Sequence, residues 1–284
     1  MLMAGRCSEE KRKSRMQVVC RKVVCMRGNR GMVHFVGAGS GAKDLITLRG
    51  KKYIEEADVI IYAGSLVNKG LLEYAKASAD IYDSAKMTLE EVLSVMKAAR
   101  DEGQMVVRLH TGDPCIYGAI REQMDALDEM GIKYDYTPGV SSFCGAASAL
   151  NLEYTLPGIS QSVILTRMAG RTSVPDKESI ESFAAHGATM VIFLSAGMIG
   201  ELSDRLIAGG YRADTPAAIV YKATWPDEKA LVGTVGSLPD MADCNDIKST
   251  ALIIVGDVVG AASYEKSRLY AADFSTMFRM ASEK

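Results

Sequence analysis

A candidate ligand-binding loop, Thr111-Gly112-Asp113-Pro114, follows the largely apolar segment from Val106 to His110. That segment predicts a buried strand, and open α/β folds bind ligands at the ends of such strands. Gly112 lets the backbone approach a ligand closely, while Pro114 fixes its own φ and restricts Asp113. We therefore expect Asp113 at the lip of a pocket, the alternative being an ordinary turn after a strand.

Four loops share this position after a predicted strand, and all carry small or hydroxyl side chains that leave backbone amides exposed. They comprise residues 37–41, 111–114, 138–142 and 222–225. Such loops can surround one ligand and hold it mainly through main-chain hydrogen bonds. Because no nucleophile–base pair is evident, transfer of a group from an already activated donor fits better than acid–base chemistry.

The sequence argues against a dinucleotide-binding site and against a protein-bound metal. In the loop from Gly37 to Gly41 the third glycine falls one residue early for a dinucleotide site, and Ala63 follows the second strand without the ribose-binding acid. The six cysteines form no C-x-x-C pair and the chain has three histidines, so we predict no protein-bound metal and no disulfide framework.

The composition, with 48% hydrophobic and 24% charged residues and a formal net charge of -2, is typical of a soluble globular protein. This balance argues against nucleic acid as a partner, since phosphate binding requires clustered Lys and Arg. No apolar run reaches the roughly 20 residues that span a bilayer, so we predict no membrane association. The six cysteines without a pairing motif favour reduced thiols and a cytoplasmic protein.

Predicted strands and helices alternate from Met32 onward, which favours an α/β fold with mostly parallel sheets and covering helices. We expect two αβ domains with an active-site cleft between them. Residues 32–140 form the predicted N-terminal domain and 141–262 the C-terminal one. Residues 1–31 are interpreted as a disordered basic leader and 263–284 as a polar tail.

Four segments, in this order, resemble the tetrapyrrole methyltransferases, which use S-adenosylmethionine as methyl donor. These are Gly37-Ala38-Gly39-x-Gly41, Ala57-Asp58-Val59-Ile60, Gly112-Asp113-Pro114 and Pro138-Gly139-Val140-Ser141-Ser142. The resemblance spans about residues 32–260. It implies a tetrapyrrole methylase-like fold and a homodimer, with the donor bound between the two domains of each chain.

Further segments are similar to the branch of this family that methylates C(11) of precorrin-4 or its cobalt form in corrin-ring biosynthesis. They are residues 107–114, 164–167, 170–172 and the unusual stretch 220–228. The alternative acceptors are another precorrin, ribosomal RNA and a modified protein histidine. The stretch 221–228 argues against these alternatives, and the lack of a basic face argues against RNA. A non-catalytic protein that binds a tetrapyrrole or an adenosyl ligand also remains open.

The resemblance implies a set of donor-binding residues at matching positions: Ser40, Thr111, Gly112, Asp113, Ile116, Tyr117, Ser141, Ser142, Leu194, Ala223 and Thr224. Within this set Leu194 and Ala223 would enclose the adenine, whereas without the resemblance both would be interpreted as core residues. Asp113 and His110 are expected to position ligands, and no catalytic residue is assigned.

The acceptor is a macrocycle fringed with carboxylates, so we expect cations near the loop mouths to bind it. The predicted set is Arg108, His110, Arg167, Arg171 and Lys222, with Lys86 as a weaker candidate. Each could instead be an ordinary surface charge.

The first loop departs from the family pattern Gly-x-Gly-Pro-Gly-Asp-Pro. Ser40, Ala42 and Lys43 stand where Pro, Asp and Pro are expected, and Ala63 replaces the acid of other branches. A catalytic carboxylate role at these positions therefore cannot be transferred to this chain.

Overall fold

The computed structural model describes residues 30–282, except for the side chain of Ser65. Most of the predicted leader, residues 1–29, and the last two residues of the predicted tail lie outside the described part. No helix within the described residues is long and apolar enough to cross a membrane.

The first sheet consists entirely of parallel strands, as predicted, in the order β3-β2-β4-β1-β5. Its strands are β1 (Val33–Gly37), β2 (Val59–Tyr62), β3 (Asp80–Asp83), β4 (Val106–His110) and β5 (Tyr134–Thr137). Because parallel strands end at the same edge, the loops that follow β1, β4 and β5 emerge side by side.

Three α-helices cover this sheet: α1 (Leu48–Glu56), α2 (Leu89–Asp101) and α3 (Arg121–Glu129). One core of apolar side chains lies on the α1 face and another on the face of α2 and α3. Thr88 followed three residues later by Glu91 predicts a capping box at the start of α2, and the structure contains it: the Thr88 hydroxyl accepts from the Glu91 amide, and the Glu91 carboxylate accepts from the Thr88 amide.

The second sheet is mixed, in the order β6-β7-β10-β8-β9. It contains β6 (Val163–Arg167), β7 (Thr189–Phe193), β8 (Pro216–Tyr221), β9 (Lys229–Thr234) and β10 (Ala251–Val255). Only β6 and β7 pair in parallel, because β8 and β9 form a hairpin and β10 inserts antiparallel between β7 and β8. The prediction of mostly parallel strands is therefore wrong for this sheet.

Four further α-helices accompany the second sheet: α4 (Ser142–Leu150), α5 (Ile180–Ala184), α6 (Ile199–Ala208) and α7 (Leu238–Cys244). Helices α5, α6 and α7 pack on one face around residues such as Leu202 and Leu238, which are fully buried. Helix α4 contributes Ala146 to the core on the opposite face.

One predicted helix differs from the structure. The sequence pattern predicts a helix from Tyr117 to Met130, but the helix begins only at Arg121, because Tyr117 and Ala119 have φ values of 56° and 48° and cannot lie in a right-handed helix. Within the segment 263–282, Met277 and Phe278 are 89% and 91% exposed.

Candidate functional site

The loops after β1, β4 and β5 meet through four glycines. Gly39 and Gly112 exchange backbone hydrogen bonds of 3.3 and 2.9 Å. A Cβ atom at Gly139 would lie 2.2 Å from the Gly112 carbonyl oxygen, and one at Gly37 would lie 2.5 Å from the Gly139 nitrogen. Only glycine fits at these points, so the glycines bring three strand ends into one compact edge.

The side chain of Asp113 stabilises the contact between the loops after β4 and β5. Its Oδ1 accepts hydrogen bonds from the Tyr136 hydroxyl and from the Cys115 amide at 2.9 Å, and its Oδ2 accepts from the Gly139 amide at 3.1 Å. Partial burial opposes ionisation of the carboxyl group, but these donors outweigh it and lower the pKa of Asp113. The charged carboxylate thus links the β4 loop to the β5 loop.

The first cavity, of about 430 Å³, opens beside this edge. Its lining includes ten of the residues singled out from the sequence: Arg108, His110, Thr111, Gly112, Asp113, Ile116, Tyr117, Ser141, Ser142 and Leu194. Residues that are far apart in the chain, on both sheets, therefore surround one space. Ala63, which stands where other branches have an acid, also lines this cavity.

The second cavity, of about 500 Å³, adjoins the first and shares four lining residues with it: Leu66, Ser142, Phe193 and Leu194. Of the predicted residues, Ser40, Lys222 and Ala223 also line it. We call the two adjoining cavities the cleft. Each has a volume typical of small-molecule sites, roughly 300–1,000 Å³.

Strained backbone concentrates around the cleft. Leu194 and Lys222 have φ values of 53° and 46°, and Thr250, which also lines the second cavity, has a φ of 55°. Tyr117 and Ala119, which line the first cavity, are left-handed as well, so five non-glycine residues with positive φ line the cleft. Such conformations cost about 1–3 kcal/mol each and tend to cluster at functional sites.

The two residues expected to enclose an adenine differ in their surroundings. Leu194 is 65% exposed and projects from the end of β7 between the two cavities, so interpreting it as a core residue is wrong. Ala223 is buried in the core beside α4 and also lines the second cavity.

Ser40 and Thr224 connect the loop after β1 to the loop after β8 by hydrogen bonds. Their hydroxyl oxygens are 3.0 Å apart, and the Ala42 amide donates to the Thr224 hydroxyl at 3.0 Å. Ser40 lines the second cavity, whereas Thr224 lines neither. The structure thus shows Thr224 holding the first loop against the second sheet.

Arg108 is the most unusual group in the cleft, because it is a buried cation that contacts no carboxylate in the described part of the chain. Its Nε donates to the Gln123 side-chain oxygen at 3.0 Å, and its Nη1 donates to the Ile61 carbonyl at 3.2 Å. Burial lowers the pKa of Arg108 to about 10, so the group remains charged at neutral pH.

His110 lies next to Arg108 on the same face of β4 and is 4% exposed. Its Nε2 has no hydrogen-bond partner among residues 30–282. Burial and the neighbouring Arg108 charge lower the pKa of His110 to about 3, so its imidazole is neutral at physiological pH.

The other predicted cations are not free in the cleft. Lys222 lines the second cavity but forms a 2.5 Å ion pair with Asp227. The Arg167 guanidinium donates to the carbonyls of Met168, Thr172 and Ser173 and stabilises the turn after β6. Arg171 and Lys86 are exposed and line neither cavity.

Within residues 30–282 no group of three or more His, Cys, Asp or Glu side chains is placed to hold a metal ion. The described cysteines, Cys115, Cys144 and Cys244, are exposed and unpaired.

Sequence reasoning missed Gln123, the partner of Arg108. Gln123 and Leu127 are the buried residues of α3, so a polar side chain one turn before an apolar core position was the available signal. That pattern alone does not tell which group Gln123 contacts.

Comparison with known proteins gives a consistent result. A family model described as tetrapyrrole (corrin/porphyrin) methylases matches residues 32–239. The chain is 52% identical over 259 residues, covering 91% of this chain and all of the relative, to a cobalt-precorrin-4 C(11)-methyltransferase of Methanocaldococcus jannaschii.

Two solved structures that resemble this fold are also tetrapyrrole methyltransferases. A cobalt precorrin-4 methyltransferase aligns with a TM-score of 0.80 and 43% identity, covering 83% of this chain and 99% of the other. A uroporphyrin-III C-methyltransferase of Thermus thermophilus, complexed with S-adenosylhomocysteine, aligns with a TM-score of 0.68 and 25% identity over 81% of this chain and 99% of the other.

Proposed function

Because the chain belongs to the tetrapyrrole methylase family, we propose that it transfers the methyl group of S-adenosylmethionine to C(11) of cobalt-precorrin-4. The products are cobalt-precorrin-5A and S-adenosylhomocysteine, in the biosynthesis of the corrin ring of cobalamin. One observation carries the proposal: the residues matched to a methyl donor line the same cavity as Arg108, a buried cation with no carboxylate partner among residues 30–282 and suited to an anionic acceptor.

The donor side of the cleft consists of the loops joined by Asp113 and of Leu194. Main-chain groups of Thr111 and Gly112 suit the polar methionine and ribose portions, and Ser141 and Ser142 flank them. The exposed Leu194 and the small Ala223 offer apolar surface for a purine face in the second cavity. The space and the chemistry of these residues fit S-adenosylmethionine, which supplies a methyl group already activated on a sulfonium.

The acceptor side is the part of the first cavity that Arg108 lines. A buried guanidinium without a carboxylate partner is costly, and a carboxylate of the macrocycle would compensate it. His110, neutral beside it, adds a hydrogen-bonding group without adding a second positive charge.

The reaction depends mainly on aligning the acceptor carbon with the methyl carbon and the sulfur of the donor. The electron-rich ring carbon attacks the methyl carbon in line with the sulfur, so the new C–C bond forms as the S–C bond breaks. The electron pair of the broken bond stays on sulfur, which becomes a neutral thioether, and the methylated macrocycle then loses a proton. The protein contributes mainly by holding both reactants in this geometry. No residue of the cleft is assigned as the proton acceptor.

The proposal extends to the organisation of the protein. The first sheet ends at Thr137 and the second begins at Val163, which supports two αβ domains at 32–140 and 141–262. By the same family membership we infer a cytoplasmic homodimer without nucleic-acid or membrane partners. We infer no protein-bound metal, so cobalt enters only within the substrate.

Mass spectrometry of the reaction products tests the proposal. Purified full-length protein is incubated with S-adenosylmethionine and cobalt-precorrin-4. The expected result is a gain of one methyl group on the macrocycle with an equal amount of S-adenosylhomocysteine. Binding of both reactants without turnover would support a non-catalytic binding protein, and methylation of a different precorrin alone would reassign the acceptor.

A further inference from the structure

The contacts of Arg108 raise the question of what keeps a buried guanidinium both charged and correctly aimed. Arg108 lies on β4, and the only side chain that binds its guanidinium in the described residues is Gln123, in the first turn of α3. Gln123 is itself buried, with 5% of its surface exposed. A polar side chain at such a position needs hydrogen-bond partners, and it has two.

Gln123 is held at both ends. Its Oε1 accepts from Arg108 Nε at 3.0 Å, and its Nε2 donates to the Ala119 carbonyl at 2.9 Å. Ala119 is one of the left-handed residues on the lining of the first cavity. Gln123 therefore couples the direction of the Arg108 side chain to the shape of the loop at the rim of the cavity.

The amide also preserves the charge of Arg108. A carboxylate at position 123 would neutralise the guanidinium, whereas a neutral amide oxygen orients the guanidinium and leaves its full positive charge available. Nε and Nη1 are occupied by Gln123 and Ile61. The Nη2 group has no partner among the described residues and is left for a ligand.

We propose that Gln123 is a positioning residue that aims the uncompensated charge of Arg108 at one carboxylate of the acceptor. This inference rests on the proposed function, because it assigns the part of the substrate that Arg108 binds. Gln123 lines the first cavity, and its side-chain hydrogen bonds join Arg108 and Ala119 rather than a residue assigned to the donor, so we expect its effect to fall mainly on acceptor binding.

Steady-state kinetics of Gln123→Ala, Arg108→Lys and the double variant test the inference. Loss of one hydrogen bond to a charged group should raise KM for cobalt-precorrin-4 about tenfold in Gln123→Ala, while KM for S-adenosylmethionine changes by less than about twofold. In the Arg108→Lys background the same substitution should change the acceptor KM by less than about twofold, since Gln123 acts through the guanidinium.

Two further variants separate positioning from general damage. Gln123→Glu keeps the size of the side chain but pairs with Arg108, so it should weaken acceptor binding at least as much as Gln123→Ala. Glu129→Ala, an exposed change on the same helix, should leave both KM values unchanged. Additive effects in the double variant, or equal increases in both KM values, would overturn the proposal.

A binding measurement keeps the inference testable if the wild type transfers no methyl group, which would refute the proposed function alone. Uroporphyrin III, a polycarboxylate macrocycle, serves as the probe, and its binding is followed by fluorescence quenching. Binding to the wild type about tenfold tighter than to Gln123→Ala, with matching thermal unfolding curves, would support the positioning role. Equal affinities of the two proteins would refute it.

Discussion

The carboxylate of Asp113, in the loop after β4, accepts a hydrogen bond from the amide of Gly139 after β5, with Oδ2 3.1 Å from the nitrogen. Strand β1 lies between β4 and β5 in the sheet, so this contact reaches across the loop that follows β1. Tyr136, on β5, donates to the same carboxylate. The shape of the donor side therefore depends on one charged side chain that acts mainly on the protein itself.

Asp113→Ala should weaken binding of S-adenosylhomocysteine before it affects anything else. The variant leaves the Gly139 and Cys115 amides without their acceptor, and hydrogen bonds to a charged group are worth about 1.5–3 kcal/mol, so we expect a loss of roughly tenfold to a hundredfold. Isothermal titration calorimetry measures the change, with the exposed Asp204→Ala as control. Unchanged donor affinity in Asp113→Ala would refute the positioning role.

Gly139→Ala should disrupt the edge of the first sheet. Its Cβ would lie 2.2 Å from the Gly112 carbonyl oxygen, so the β4 and β5 loops must separate. We expect a loss of more than about 2 kcal/mol in the free energy of unfolding, together with loss of donor binding.

Gly200→Ala is the matched control for this substitution, because a Cβ there meets no atom within 4 Å and the residue lies in helix α6. It should stabilise the protein by about 0.5–1 kcal/mol in chemical denaturation. Equal stability of the two glycine variants would contradict the close approach of the three loops.

Leu194 combines a strained backbone with an exposed side chain. Replacing it with glycine should relieve the strain and, at the same time, weaken binding of the donor. Leu194→Gly removes the strain of φ 53° and should be more stable than Leu194→Ala by roughly 1 kcal/mol. Both variants lose the apolar side chain between the cavities and should bind S-adenosylhomocysteine more weakly than the wild type. Thermal unfolding and calorimetry on the same preparations provide the comparison, and full donor affinity in Leu194→Gly would count against a contact with the adenine.

The pH dependence of stability should carry a contribution from His110. Its pKa of about 3 in the folded protein lies below the ordinary value of 6.5, so the unfolded chain binds the extra proton first as pH falls. The contribution of neutral His110 to the free energy of unfolding is therefore fully present above about pH 6.5 and is lost progressively as the pH falls toward 3. The expected loss is about 1 kcal/mol from pH 6.5 to pH 5.5.

His110→Phe should lack this contribution, because phenylalanine does not titrate and the site already packs near the Phe35 ring. Urea denaturation of both proteins at the two pH values measures the difference. A wild type and variant with parallel pH profiles would show that His110 titrates normally.

Much of the fold was predictable because its signals are local. The buried strands β1, β2 and β4 are apolar runs, and the start of α2 is marked by Thr88 and Glu91. Strand β3 was not predicted, since this edge strand is largely exposed and begins and ends with Asp. Strand β9 was also missed, because its alternation is weak and its pairing with β8 is a tertiary contact.

The site was predictable only in part, for a related reason. The glycine and Asp113 loops were found because their sequence restricts the backbone directly. The roles of the cations depend on neighbours supplied by other elements, so Arg108 and Arg167 looked equivalent in sequence. In the structure Arg108 faces the cavity with Gln123 as its partner, whereas Arg167 binds the carbonyls of its own turn.

Transfer of a ¹³C-labelled methyl group tests the central claim most directly. The protein is incubated with S-adenosylmethionine carrying ¹³C in its methyl group and with cobalt-precorrin-4, and the isolated product is examined by NMR. The predicted result is one enriched methyl signal with correlations to C(11) of the macrocycle. An enriched methyl at another ring carbon, or an unlabelled macrocycle recovered with intact donor, would contradict the account.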